Sequence, residues 1–123
     1  MLPSGPSEGP LTDLSFPVSV RHGLAVVTTP DEIDIGNAGQ LRDALLAAAT
    51  AGKPVIVVDM SGTEFCDSTC LNVLVRALRQ ADQDATELRL VVGGTALRRI
   101  LTVTGMDGMF RIFQTLDQAL AVA

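Results

Sequence analysis

The 123-residue sequence predicts one α/β domain: an N-terminal β-hairpin, then alternating helices and strands in a mixed, mostly parallel sheet with flanking helices. Three observations carry this. Residues 54–60 (PVIVVDM) are an unbroken apolar, β-branched run, which suits a strand covered on both faces. Residues 68–82 set Leu71, Leu74, Val75 and Leu78 at helical spacing, with Arg76, Arg79 and Asp82 left for water. The same exchange of strand-like and helix-like runs recurs to the C-terminus, giving the order β-β-α-β-α-β-α-β-α.

Taken in order, residues 1–11 hold three of the six prolines, two glycines and two serines. That composition builds no packed element, so a disordered leader is expected at 1–11 and a folded domain at 12–123. Leu14 to Arg21 alternates in part, with Phe16, Val18 and Val20 on one face. His22-Gly23 makes a turn, and Leu24–Val27 is the second strand of the hairpin. The stretch TPDEIDIGN (29–37) reads as an acidic loop. Asn37 with Gln40 resembles a capping box, followed by Leu41, Ala44, Leu45 and Ala48 in a helix that ends near Gly52. After the 54–60 strand and the 68–82 helix, Leu88–Val92 is a short buried strand closed by Gly93-Gly94. Thr95 is placed to cap a helix through Leu97, Ile100, Leu101 and Thr104, stopped by Gly105. Phe110–Phe113 is the last strand and Leu116–Val122 the last helix.

Composition narrows the function. Hydrophobic residues make up 47% and charged residues 19%, so the chain folds around a core. Its net charge of −5, without Trp or Tyr, argues against direct nucleic-acid binding, which needs basic patches and stacking rings. No run approaches the roughly 18 apolar residues of a membrane span. The N-terminus lacks a secretory pattern, so the expected location is cytoplasmic. Two cysteines, Cys66 and Cys70, are too few for a disulfide scaffold, and a metal site would need more ligands. No cofactor is expected.

The chemistry-bearing segment is FCDSTCL (65–71), where a loop meets a helix. Asp67, Ser68 and Thr69 are all good N-cap types, and one of them serving as the cap is the simplest reading. A hydroxyl here is also well placed for phosphorylation. The added charge of roughly −1.5 to −2 is tolerated at a helix N-terminus and alters an exposed surface without unfolding it. Cys66 and Cys70 suit small buried niches; a thiol near a helix N-terminus keeps a redox role open. Asp59 ends its strand as the phosphoacceptor of a response-regulator receiver does. The further acids and the lysine that such receivers need are missing, so Asp59 is expected to bond locally. Asp31, Glu32 and Asp34 offer charge to a partner. No nucleophile elbow, P-loop, H-E-x-x-H or G-x-G-x-x-G is present, so no enzyme activity is expected.

From about Leu14 to Ala123 the chain resembles STAS domains, specifically the small anti-sigma-factor antagonists of bacteria. The block VVDMSGTEFCDSTCLNVLV (57–75) is close to the family's apolar strand, short turn and D-S-[ST]-G-L. DEIDIGNA (31–38) is similar to its G-E-[IL]-D segment, and LRRILTVTGM (97–106) to its third helix. The resemblance implies an unphosphorylated antagonist that binds an anti-sigma factor with serine kinase activity and releases a sigma factor. Phosphorylation breaks that complex and a protein phosphatase restores it. By the same resemblance the acceptor is Ser68, with Thr69 as the minor candidate. Asp34 and Asp67 match partner-contacting acids, and Asn37, Ser68 and Thr69 complete the expected partner surface. A monomer without membrane attachment is implied. Two positions depart from the pattern: Cys70 and Asp31 stand where glycines are usual. A non-phosphorylated scaffold of the same fold, and a redox variant using Cys66 and Cys70, are the alternatives.

Overall fold

The computed structural model describes residues 16–121. The expected leader at 1–11 and the start of the first predicted strand at Leu14 lie outside them. β1 (Val18–Arg21) and β2 (Leu24–Thr28) form the hairpin, β3 (Glu32–Ile33) is a two-residue strand, and α1 (Ala38–Thr50) follows. Then come β4 (Val55–Asp59), β5 (Phe65–Cys66), α2 (Ser68–Gln83), β6 (Glu87–Val91) and α3 (Thr95–Val103). A 3-10 turn at Met106–Gly108, β7 (Arg111–Phe113) and α4 (Leu116–Ala121) complete the described chain.

The main sheet has the order β1-β2-β4-β6-β7. Only the β1–β2 pair is antiparallel; β2–β4, β4–β6 and β6–β7 are parallel, as the continuous apolar runs require. The hairpin turn places both His22 and Gly23 at positive φ, the backbone that matches the twist of tightly joined strands. Val55 to Val58 are all buried, because each face of β4 meets a different layer. Ile56 and Val58 pack with Leu41, Leu45, Leu74, Leu97 and Leu101 from α1, α2 and α3. Val55 and Val57 pack with Ala119 and Leu120 of α4. Three helices therefore cover one face of the sheet and one short helix covers the other.

The α4 face holds an unexpected charge. Arg89 is completely buried and donates to the Ala119 carbonyl at 2.6 Å and to Glu87 Oε2 at 2.7 Å. Glu87 also accepts from Arg111 at 2.6 Å, and both guanidinium groups lie 5.5–5.7 Å from the centroid of the Phe113 ring. The hydrogen bond from Arg89, followed by that from Arg111, holds the Glu87 carboxyl below its ordinary range despite some burial.

Three local expectations are corrected. Val18 and Val20 share a face with buried Val27 and Ala25, yet they are 39% and 54% exposed, because β1 is the sheet edge. Asn37 makes no capping bond to α1; its side chain turns back into the preceding loop. Thr95 is the first residue of α3 and Gly94 occupies the N-cap position, without a side-chain cap. Gly105 ends α3 as expected, at φ +76°.

Candidate functional site

The acidic loop is more ordered than its composition implies. β3 pairs in parallel with β5 in a separate two-stranded sheet, matching Glu32 to Phe65 and Ile33 to Cys66. Ile33 and Cys66 are buried, so this small sheet is anchored by one apolar side chain from each strand. Asp67 N–H donates to the Ile33 carbonyl at 3.1 Å, continuing the ladder by one step. The residues that leave the two strands are thus Asp34 and Asp67. Two acids far apart in sequence come to adjacent strand ends, beside the start of α2.

A buried hydroxyl chain supports the small sheet from below. The Thr29 and Thr63 hydroxyls are 2.5 Å apart, and Thr63 Oγ1 donates to the Pro30 carbonyl at 2.6 Å. Thr29 Oγ1 is also placed to donate to the Asp59 carbonyl at 3.2 Å. This ties the exit of β2 to the loop after β4, and Asp59 adds a local bond by accepting from Ser61 N–H at 3.1 Å. Neither threonine carried a sequence signal, because a buried hydroxyl pair is defined only by the neighbour that completes it.

Each predicted residue now has a position. Asp34 Oδ1 accepts from Gly36 N–H at 2.8 Å, while its carbonyl accepts from the N–H groups of Asn37 and Ala38. Asn37 Oδ1 accepts from Asp34 N–H at 2.9 Å, and Nδ2 donates to the Glu32 carbonyl at 3.0 Å. Asn37 is therefore the brace of the Asp34 loop rather than a cap. Asp67 is the N-cap of α2: its Oδ1 accepts from Thr69 N–H at 2.9 Å and Cys70 N–H at 3.2 Å. Ser68 is the first residue of α2 and exposed, and among the described residues its hydroxyl takes no hydrogen bond. Thr69 is half-buried at the edge of the groove between α1 and α2. Asp34, Asn37, Asp67, Ser68 and Thr69 thus lie on two neighbouring loop-to-helix junctions.

Cys66 and Cys70 are both free and buried. Cys70 is fully buried in the core. Its hydrogen bond with Cys66, its burial and the nearby Cys66 and Asp67 all push the Cys70 thiol well above its ordinary value. Two exposed apolar side chains escaped the sequence reading. Ile35 is 82% exposed directly after Asp34, and Phe65 is 47% exposed on β5. Phe65 lies in a two-residue strand and Ile35 in a loop, so no alternation could reveal them.

The fold and these junctions define a STAS domain, and the comparisons agree. The STAS domain family model matches residues 15–119, and the chain belongs to that family. The anti-sigma-F factor antagonist RsfB of Mycobacterium tuberculosis is 30% identical over 107 residues, covering 87% of each protein. The crystal structure of an anti-sigma factor antagonist from Mycobacterium paratuberculosis superposes with a TM-score of 0.78 at 32% identity, over 85% of this chain and 89% of that one. The fold is also that of the anti-sigma factor antagonist SpoIIAA in its unphosphorylated form, with a TM-score of 0.71 at 18% identity over 85% and 92% of the two chains.

Proposed function

We propose that this chain is an anti-sigma-factor antagonist that works by partner switching, with Ser68 as the switched residue. In the unmodified state it binds an anti-sigma factor that is also a serine kinase, and a sigma factor is released. The relatives at 30% and 32% identity are anti-sigma factor antagonists, which supports the antagonist role. The observation that carries the Ser68 assignment is the division of labour at the α2 N-terminus. Asp67 does the capping, which leaves the Ser68 hydroxyl exposed and unengaged among the described residues.

Modification follows from that arrangement. The Ser68 oxygen attacks the terminal phosphorus of a nucleoside triphosphate held by the kinase. The new O–P bond replaces the bond to the bridging oxygen, the diphosphate leaves, and the hydroxyl proton passes to a base of the kinase. The phosphate then joins Asp34 and Asp67 at one surface, and its charge disrupts a partner that had accepted only the two carboxylates. Ile35 and Phe65 supply the apolar part of that contact, Asn37 holds its loop, and Thr69 is the minor acceptor. A protein phosphatase reverses the step, and the antagonist acts as a cytoplasmic monomer. The burial of both cysteines and the raised Cys70 thiol favour the hydroxyl over a thiol as the switch.

Phosphopeptide mapping of wild-type protein and Ser68→Ala, each recovered from its own cells, tests this reading. One phosphate on Ser68 that is absent from the variant is expected. Unmodified Ser68 throughout growth and stress conditions would overturn the switch.

A further inference from the structure

The molecule carries a second feature, which meets the Ser68 surface only at Thr69. An open groove of about 800 Å³ runs between α1 and α2. That size lies within the range of small-molecule sites, roughly 300–1,000 Å³. Its α1 wall is built from Arg42, Leu45, Leu46 and Ala49, spaced three and four residues apart on one face. On α2 the lining runs from Thr69 to Asp84, a length of about 22 Å at 1.5 Å per residue. Ala49, Ala77 and Ala81 are too small to close the space, so Ile56 and Leu88 of the sheet reach its floor.

We propose that this groove binds a long-chain alkyl carboxylate. The floor is aliphatic: Leu45, Ile56, Val73, Ala77, Ala81 and Leu88. None of the four phenylalanines lines it, and the chain has no Trp or Tyr, so it offers no ring on which a nucleobase or aromatic ligand could stack. A flexible hydrocarbon tail fits that surface. The rim has the opposite character to the protein as a whole. Arg42, Lys53 and Arg76, three of only nine basic residues in a chain of net charge −5, border this one groove. Arg42 makes only a long 3.5 Å exposed contact with Asp43, while Lys53 and Arg76 make no ion pair among the described residues. One acid, Asp84, lies at the far end and accepts from Gln80 Nε2 at 3.2 Å. Cations above an aliphatic trough select an anionic head on an apolar tail. Because Thr69 lines the groove, an occupant sits one residue from Ser68.

The test is a titration of the isolated, unmodified chain with decanoate below its micelle concentration, followed by amide chemical shifts and calorimetry. Decyltrimethylammonium is the control of opposite charge. Saturable shifts confined to the facing sides of α1 and α2 are expected for decanoate. Ala77→Leu fills the trough and should weaken binding about tenfold or more, equivalent to ~1.4 kcal/mol. The pair Lys53→Glu, at a half-buried position, with Arg76→Glu, at an exposed one, leaves the floor residues unchanged; it should lose decanoate to a similar extent and take up the cationic amphiphile. The site would be overturned by an absence of saturable binding. Equal binding of both amphiphiles to wild type, or decanoate affinity unchanged in the charge-reversed protein, would also overturn it. Since no kinase or phosphate enters the experiment, its result is separate from that of Ser68.

Discussion

Asp67 and Ser68 are neighbours with opposite duties. Asp67 accepts two amide hydrogen bonds at the head of α2, so its carboxylate is a structural part of the helix. Replacing it by Ala should cost about 1 kcal/mol of stability, the usual worth of an N-cap, seen as a fall of a few degrees in melting temperature. Ser68 contributes no comparable bond, so Ser68→Ala should change stability by less than about 0.5 kcal/mol. Ser68→Ala is expected to retain anti-sigma binding in titration calorimetry while Ser68→Asp weakens it; equal affinities would remove the charge switch. Cys70 is the third local case. With its thiol buried and held protonated, labelling by a thiol reagent should be slow and follow unfolding rather than surface collision. Rapid modification of the native protein would revive the redox reading.

At the scale of elements, two networks hold the sheet ends. Thr63 donates to Pro30 and its hydroxyl meets that of Thr29, at the base of the β3–β5 pair. Thr63→Val keeps the volume but removes the bond, leaving the Pro30 carbonyl short of a partner and the Thr29 hydroxyl with the Asp59 carbonyl alone. A loss of about 1–3 kcal/mol is expected, with faster amide exchange in β3 and β5. The Glu87–Arg89–Arg111 cluster couples β6, β7 and α4 to pH. Because the carboxyl of Glu87 is held below its ordinary range, its contribution is present above about pH 4.3 and is lost as pH falls through the lowered folded value. Glu87→Gln should therefore reduce the acid dependence of stability below about pH 4.3, measured by denaturation across that window.

Across the whole molecule, the sheet sorts its surfaces by task. Parallel strands β2, β4, β6 and β7 are joined through helices, and the β3–β5 pair brings the chain after β2 alongside the chain after β4. Asp34 and Ser68 are 34 residues apart in sequence and meet at one edge for that reason. The α1–α2 groove begins at the same edge and extends away from it, over the small side chains of Ala49, Ala77 and Ala81. The opposite face is covered by α4 over Arg89.

Periodicity alone determined the α/β class, the parallel core and the four helices, because apolar spacing reflects which faces must leave water. The buried run in β4, the glycine stop after α3 and the three cap candidates at 67–69 were all legible. The family pattern proposed Asp34 and Ser68 for one site, and the β3–β5 register sets Asp34 beside Asp67, the residue before Ser68. Only the tertiary structure decided that Asp67 is the cap, that Asn37 braces a loop and that Val18 and Val20 lie at an exposed edge. It alone disclosed β3 and β5, too short for any repeat, and the burial of Arg89. Each of these depends on contacts between residues distant in sequence: a ladder, a carbonyl or a missing neighbour. Local propensity records the side chain's own preference, while those outcomes are set by the partner that folding brings.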